Sequence, residues 1–193
     1  KFDSSGTLVQ SFGAGMFLYP HGLHVDPEGN VWVTDGRGEG GKGHSVLKFN
    51  PDGEHVLTLG QPGVAGEGPN TLNRPSDVAV ARNGDIFVAD GHSGMDTNMR
   101  IVKYSKDGTF IKEWGKKGTG PGELDGAHGL AFDSRGRLFV ADRGNRRIQI
   151  FDQDGGFIDA WTQFGSPSGL FISPDDVLYV ADLAEGIRIG SAK

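Results

Sequence analysis

His21 stands in Tyr19-Pro20-His21-Gly22-Leu23 and His128 in Gly126-Ala127-His128-Gly129-Leu130, each at the entrance of a short apolar segment. Imidazole is a nitrogen ligand for a borderline ion, so two such rings aimed at one point would begin a zinc site, with iron or another divalent ion open on the same chemistry. Three histidines with positions left for water or substrate would suit catalysis. Two alone leave a structural reading open, in which the rings cap strand ends or bond to neighbouring loops. Asp77, in Pro75-Ser76-Asp77-Val78, and Ser168 occupy the equivalent entrances of other segments and are candidates to line the same channel. His92 follows Asp90-Gly91 in a broad loop, residues 91–99, where a general acid or base could reach a channel substrate. His24 lies an odd number of positions from His21 and should face another way. His44 and His55, at loop ends or strand starts, are expected to be exposed.

Other polar residues point to scaffold. Asp35, Asp90, Asp142 and Asp182 each end a short apolar strand, and their repetition argues for hydrogen bonds to a turn or to a nearby Arg, such as Arg143, Arg146 or Arg147 beside Asp142. Residues 36–43 contain Gly-Gly-Lys-Gly but lack the spacing and the following helix of a phosphate loop. Asp152-Gln153-Asp154-Gly155 fits a tight turn better than a calcium loop, whose later ligands and terminal Glu are missing.

The elements that must position these residues emerge when the chain is laid against itself. The four aspartates are spaced by 55, 52 and 40 residues, near the period at which four short strands make a propeller blade. Alternating strands and turns such as Asp26-Pro27-Glu28-Gly29 give an all-β chain with four-stranded blades at residues 21–60, 76–115 and 128–162. Residues 1–13 and 168–193 read as partial blades of the same single domain. A sandwich or ordinary barrel does not require the reiterated Gly…Val-Ala-Asp…Arg-Ile unit. Two architectures are weighed: part of a six-bladed ring, and a compact four-bladed closure in which residues 1–13 and 168–182 share a sheet. In a six-bladed ring, positions two blades apart lie about 120° apart around the axis, and a third histidine would fall beyond Lys193.

Composition narrows the function classes. The chain of 193 residues carries 33 glycines, 36% hydrophobic residues and no cysteine, which excludes disulfides and thiolate ligands. A net charge of −6 argues against nucleic acid or an anionic membrane surface as the main partner. No apolar run reaches the roughly 18 residues of a membrane span, so membrane insertion is not expected. The chain starts at Lys1, which fits a cytosolic protein or one whose leader was removed.

The repeat, strongest in His128-Gly129-Leu130 and in Arg137-Leu138-Phe139-Val140-Ala141-Asp142-Arg143-Gly144-Asn145-Arg146-Arg147-Ile148-Gln149-Ile150-Phe151, resembles the NHL-repeat β-propeller family over essentially the entire chain. More narrowly, it resembles bacterial proteins related to the peptidyl-α-hydroxyglycine α-amidating lyases, six-bladed enzymes that split a C-terminal hydroxyglycine into a peptide amide and glyoxylate. The resemblance implies that His21 and His128 match two zinc-binding motifs. It places the third zinc histidine on a later blade and a substrate arginine on an earlier one, both outside this chain. The lyases carry a tyrosine in Asp-Gly-Tyr near the substrate hydroxyl, where this chain has Asp90-Gly91-His92. Zinc would then polarise a substrate oxygen and His92 would move a proton as the carbon–nitrogen bond breaks. Zinc is the expected cofactor, with a structural Ca2+ as a second candidate. The expected partner is a peptide or small molecule in the axial channel, and incomplete propeller edges would favour a homo-oligomer. Family resemblance favours a secreted or periplasmic location, with a cytoplasmic one open. Two other functions stay open: a noncatalytic propeller presenting loops to a protein, peptide or glycan, and a metal-dependent hydrolase of a small molecule.

Overall fold

A computed structural model describes residues 1–94 and 96–193. The first sheet is built from β1 (Pro20–Val25), β2 (Val31–Asp35), β3 (Ser45–Phe49) and β4 (His55–Leu59). The second holds β5 (Pro75–Val80), β6 (Ile86–Asp90), β7 (Arg100–Tyr104) and β8 (Phe110–Trp114), and the third β9 (Ala127–Phe132), β10 (Leu138–Asp142), β11 (Arg147–Phe151) and β12 (Phe157–Trp161). The fourth contains β13 (Pro167–Ile172), β14 (Val177–Asp182) and β15 (Gly186–Ser191). Each sheet is an antiparallel meander in chain order, because tight turns such as Asp26 to Gly29 join neighbours directly.

Packing between sheets explains the strand sequences. The innermost strands stack in succession, β1 on β5, β5 on β9 and β9 on β13. β6 and β10 are buried throughout, since each is covered on both faces. Ile86 and Val88 of β6 meet Trp32, Val46 and Leu59 of the first blade, while Phe87 and Ala89 meet Leu130, Leu138 and Val140 of the third. Phe139 of β10 turns the other way, onto Leu178 and Val180 of the fourth. Full burial of each such side chain is worth roughly 1.5–3 kcal/mol, so these interfaces set the spacing of the blades. β14 alternates instead: Leu178 and Val180 are buried, whereas Tyr179 on its other face is exposed.

The expectation of part of a six-bladed ring is corrected here. The chain is an all-β propeller of four blades, three of four strands and one of three, and the described residues form no fifth or sixth sheet. The shared sheet expected for a four-bladed form is also absent among the described residues. Residues 1–13 carry only the isolated bridge between Phe2 and Leu8 and lie against the first blade, where Gln10 donates to the Asp52 carbonyl and Phe12 meets Phe49.

The aspartates that end the second strand of each blade receive the loop entering its first strand. Asp35 accepts from the amides of Leu18 and Tyr19, Asp90 from Asn73, Asp142 from Asp125, and Asp182 from Gly165 and Ser166. Asp90 and Asp142 also take the Nε of Arg100 and Arg147, both at 2.8 Å. Burial outweighs these donors at Asp90 and pushes its pKa up to about 6. Asp35 thus holds the chain just ahead of His21, and Asp142 holds it just ahead of His128.

Candidate metal centre

His21 lies in β1 and His128 in β9, each the second residue of an innermost strand, at the same end of the propeller. His92 reaches them from the loop after β6. One ring nitrogen from each of the three lies within 4.8 Å of the other two, and no other such group of three His, Asp or Glu occurs among the described residues. The ring centroids are 4.7 Å apart for His21 and His128, 5.1 Å for His92 and His128, and 5.5 Å for His21 and His92.

The rings share a second feature. Nδ1 of His21 faces the Ser76 carbonyl at 2.7 Å, Nδ1 of His92 the Ser93 carbonyl at 3.1 Å, and Nδ1 of His128 the Ser168 carbonyl at 3.3 Å. A carbonyl can only accept, so each contact selects the Nδ1–H tautomer and leaves the Nε2 lone pair for an electrophile, the arrangement that metal-bound histidines use. Ser76 ties two of the rings together: its carbonyl meets His21, and its hydroxyl donates to the carbonyl of Gly91, next to His92. The His92 amide donates to Thr97 Oγ1 at 2.9 Å.

Burial and neighbouring positive charge disfavour protonation of two of the rings. Burial, then the Arg143 guanidinium and the other two imidazoles, push His128 down to about 3. His92 is lowered chiefly by burial, with Arg143, His21 and Arg74 adding to it against the Ser93 carbonyl. Arg143 is held in place by Ser93, whose Oγ accepts from Nε at 2.9 Å and Nη2 at 2.7 Å. On the opposite side, Tyr19 packs on His21 and carries the Arg37 guanidinium 4.3 Å above its ring. An array of nitrogen donors within a cationic surround suits a divalent ion and an anionic group beside it.

Asp77 projects between inner strands, where its Oδ2 accepts from the Leu130 amide at 2.8 Å. Burial raises its pKa to about 7. Asp77 also borders a cavity of about 960 Å³ at the other end of the inner strands, lined by residues including Leu23, Val78, Leu130 and Leu170. Ser168 reaches the histidines through its carbonyl. Asp35, Asp90, Asp142 and Asp182 stand away from the rings, in the loop contacts described above.

Several sequence expectations change at this point. A third imidazole comes from His92 on the intervening blade, which the sequence suggests as a general acid or base. His44 is buried, not exposed: with φ of 51° it accepts from the Arg74 amide at 3.1 Å. Arg143 serves Ser93, and the Asp142 partner is Arg147. A run of alternating residues carries no trace of these contacts. The calcium candidate finds no carboxylate cluster among the described residues. No helix among them is long and apolar enough to cross a membrane.

The NHL repeat family matches residues 17–49, 72–104 and 124–151, one segment in each of the first three blades. The chain is 41% identical over 175 residues to mouse NHL repeat-containing protein 3, covering 85% of this chain and 49% of that protein. It is 39% identical over 160 residues to peptidyl-alpha-hydroxyglycine alpha-amidating lyase 1 of Drosophila melanogaster, covering 77% of this chain and 28% of the relative. In fold it is similar to a gluconolactonase of Xanthomonas campestris, with a TM-score of 0.64 at 21% identity over 90% of this chain and 59% of that one. The chain spans half or less of the length of these curated relatives. Repeats, blades and relatives agree: the chain belongs to the NHL-repeat β-propellers.

Proposed function

We propose that the protein is a metal-dependent enzyme in which His21, His92 and His128 hold a divalent ion, zinc by donor type, and that it acts as a lyase on a small or peptide substrate bearing an oxygen function. One observation carries this reading: three ring nitrogens converge within 4.8 Å while Nδ1 of each ring faces a carbonyl. An ion bound there would supply Lewis acidity at a substrate oxygen. The chain's own residues do the rest. Burial and Arg143 keep His92 and His128 unprotonated, so their lone pairs are available. Arg143, braced on Ser93, offers a fixed charge to an anionic group of the substrate.

The sequence relationship to amidating lyases supports an α-hydroxyglycine peptide as substrate. One observation favours a second reading. His92 stands where those lyases carry a tyrosine and joins the donor set, which removes the phenol from the substrate hydroxyl and suits hydrolysis of another small molecule at the same centre. His92 then holds the ion instead of moving a proton. The test begins with metal-free protein titrated with zinc, followed by assays for glyoxylate release from an α-hydroxyglycine peptide and for hydrolysis of a panel of lactones and esters. One ion per chain with glyoxylate release supports the lyase, and one ion with hydrolysis alone supports the second reading. Stoichiometric binding with neither activity leaves a noncatalytic propeller, and no binding removes the metal centre altogether. Alanine at His21 or His92 is expected to abolish stoichiometric zinc binding, measured by the same titration.

A further inference from the structure

The four innermost strands begin alike in register but differ in chemistry: Pro20-His21-Gly22 in β1, Pro75-Ser76-Asp77 in β5, Ala127-His128-Gly129 in β9 and Pro167-Ser168-Gly169 in β13. Blades one and three carry a histidine followed by glycine. Blades two and four carry a serine whose carbonyl faces the histidine of the preceding blade. The glycines make room for those carbonyls. A Cβ at Gly22 would lie 2.6 Å from the Ser76 carbonyl oxygen and also 2.6 Å from Asp77 Oδ1, and one at Gly129 would lie 2.5 Å from the Ser168 carbonyl oxygen. Those are the same two oxygens that face Nδ1 of His21 and His128. Gly169, at the equivalent position of blade four, is different: a Cβ there meets nothing closer than Ala181 Cβ at 3.5 Å, an ordinary contact. Thr34 reinforces the first pair, its hydroxyl donating to the Ser76 carbonyl at 3.2 Å and accepting from the Gly22 amide at 2.7 Å.

We infer that Gly22 and Gly129 are positioning residues of the histidine centre: by lacking a side chain they admit the Ser76 and Ser168 carbonyls of the next blade, which set the tautomer and direction of His21 and His128. Alternate blades thus divide the work, one pair presenting rings and the other orienting them. The consequence for metal affinity rests on the metal-centre reading above, whereas the tautomer assignment does not.

The experiment uses the whole chain with cobalt(II) as the probe, its absorption bands reporting a nitrogen-ligated ion, together with nitrogen-15 spectra of the imidazoles in metal-free protein. Gly22→Ala and Gly129→Ala are expected to bind cobalt some 10–100-fold more weakly, the usual effect of removing an outer partner of a ligand, while Gly169→Ala binds as the wild type does. In the metal-free wild type, His21 and His128 are expected as Nδ1–H tautomers, and each glycine variant is expected to lose that preference at its own histidine. Glycine variants that bind like Gly169→Ala, or wild-type rings protonated on Nε2, would overturn the inference. Should the wild type take up no cobalt, the metal centre falls and the tautomer spectra alone decide the carbonyls' role. Gly22 also abuts Asp77, so if Gly22→Ala does not fold, Gly129→Ala carries the affinity comparison.

Discussion

At His128, burial and the positive charge of Arg143 act in the same direction, and the consequence is a stability that depends on pH. The folded ring titrates at about 3, below its ordinary value of 6.5. Between those values the unfolded chain binds a proton that the folded chain does not, so stability is fully present above pH 6.5 and is lost as pH falls toward 3. Asp77, raised to about 7 from 3.8, has the opposite sign: the folded state holds the extra proton there, and its contribution is lost as pH rises through that window. The two slopes overlap, and single variants separate them. In metal-free protein followed by urea unfolding, wild type should lose about 2 kcal/mol more than His128→Asn between pH 7 and pH 4.5. Parallel losses would show that His128 is not held neutral by its surroundings.

The second-strand aspartates show at the level of elements how a repeat places a site. Asp142 is fully buried and accepts from the Asp125 amide, Asn145, Arg147 and Gln149, at 2.7 to 3.0 Å. Arg147 in turn spans the carbonyls of Thr119, Gly120 and Glu123, fastening the crossover loop ahead of β9. Asp142→Ala strands a largely buried guanidinium, and the expected cost is about 3–5 kcal/mol by denaturant unfolding. Removing the exposed partner of the Arg188–Glu185 pair with Glu185→Ala should cost at most about 1 kcal/mol. Equal costs at the two sites would refute the claim that burial makes the aspartate node decisive. The Asp-ended strands, the tight turns and the three four-stranded blades are legible in sequence, because each depends on contacts within a few residues or between adjacent strands. The partner of Arg143 was not legible, since Ser93 lies 50 residues away in another blade.

For the whole molecule, the proposed centre ties together parts of three blades: β1, the loop after β6 and β9. An ion bound only by the folded arrangement stabilises it by mass action, about 2.7 kcal/mol at a hundred times its dissociation constant. Melting points should therefore keep rising with the logarithm of zinc concentration beyond saturation of the site, and a chelator should return the melting point to its metal-free value. A melting point indifferent to zinc in protein shown to bind it would mean that the unfolded chain binds equally well. The excess of negative charge on the whole chain and the arginines around the rings also differ in sign, so the local field at the site is not the one that net charge suggests.

The amino-acid pattern alone determined that strands alternate and end in aspartate, and that His21 and His128 stand at equivalent entrances of inner strands. Those features follow from periodicity and turn chemistry, which act over short stretches of chain. Only the tertiary structure decided that there are four blades, that His92 joins the other two rings, that His44 is buried and that carbonyls of the next blade face His21 and His128. Each of those outcomes is a distance across the propeller, set by how Trp32, Phe87, Phe139 and their neighbours pack one sheet against the next. Packing of this kind couples residues far apart in sequence, and no local period encodes it.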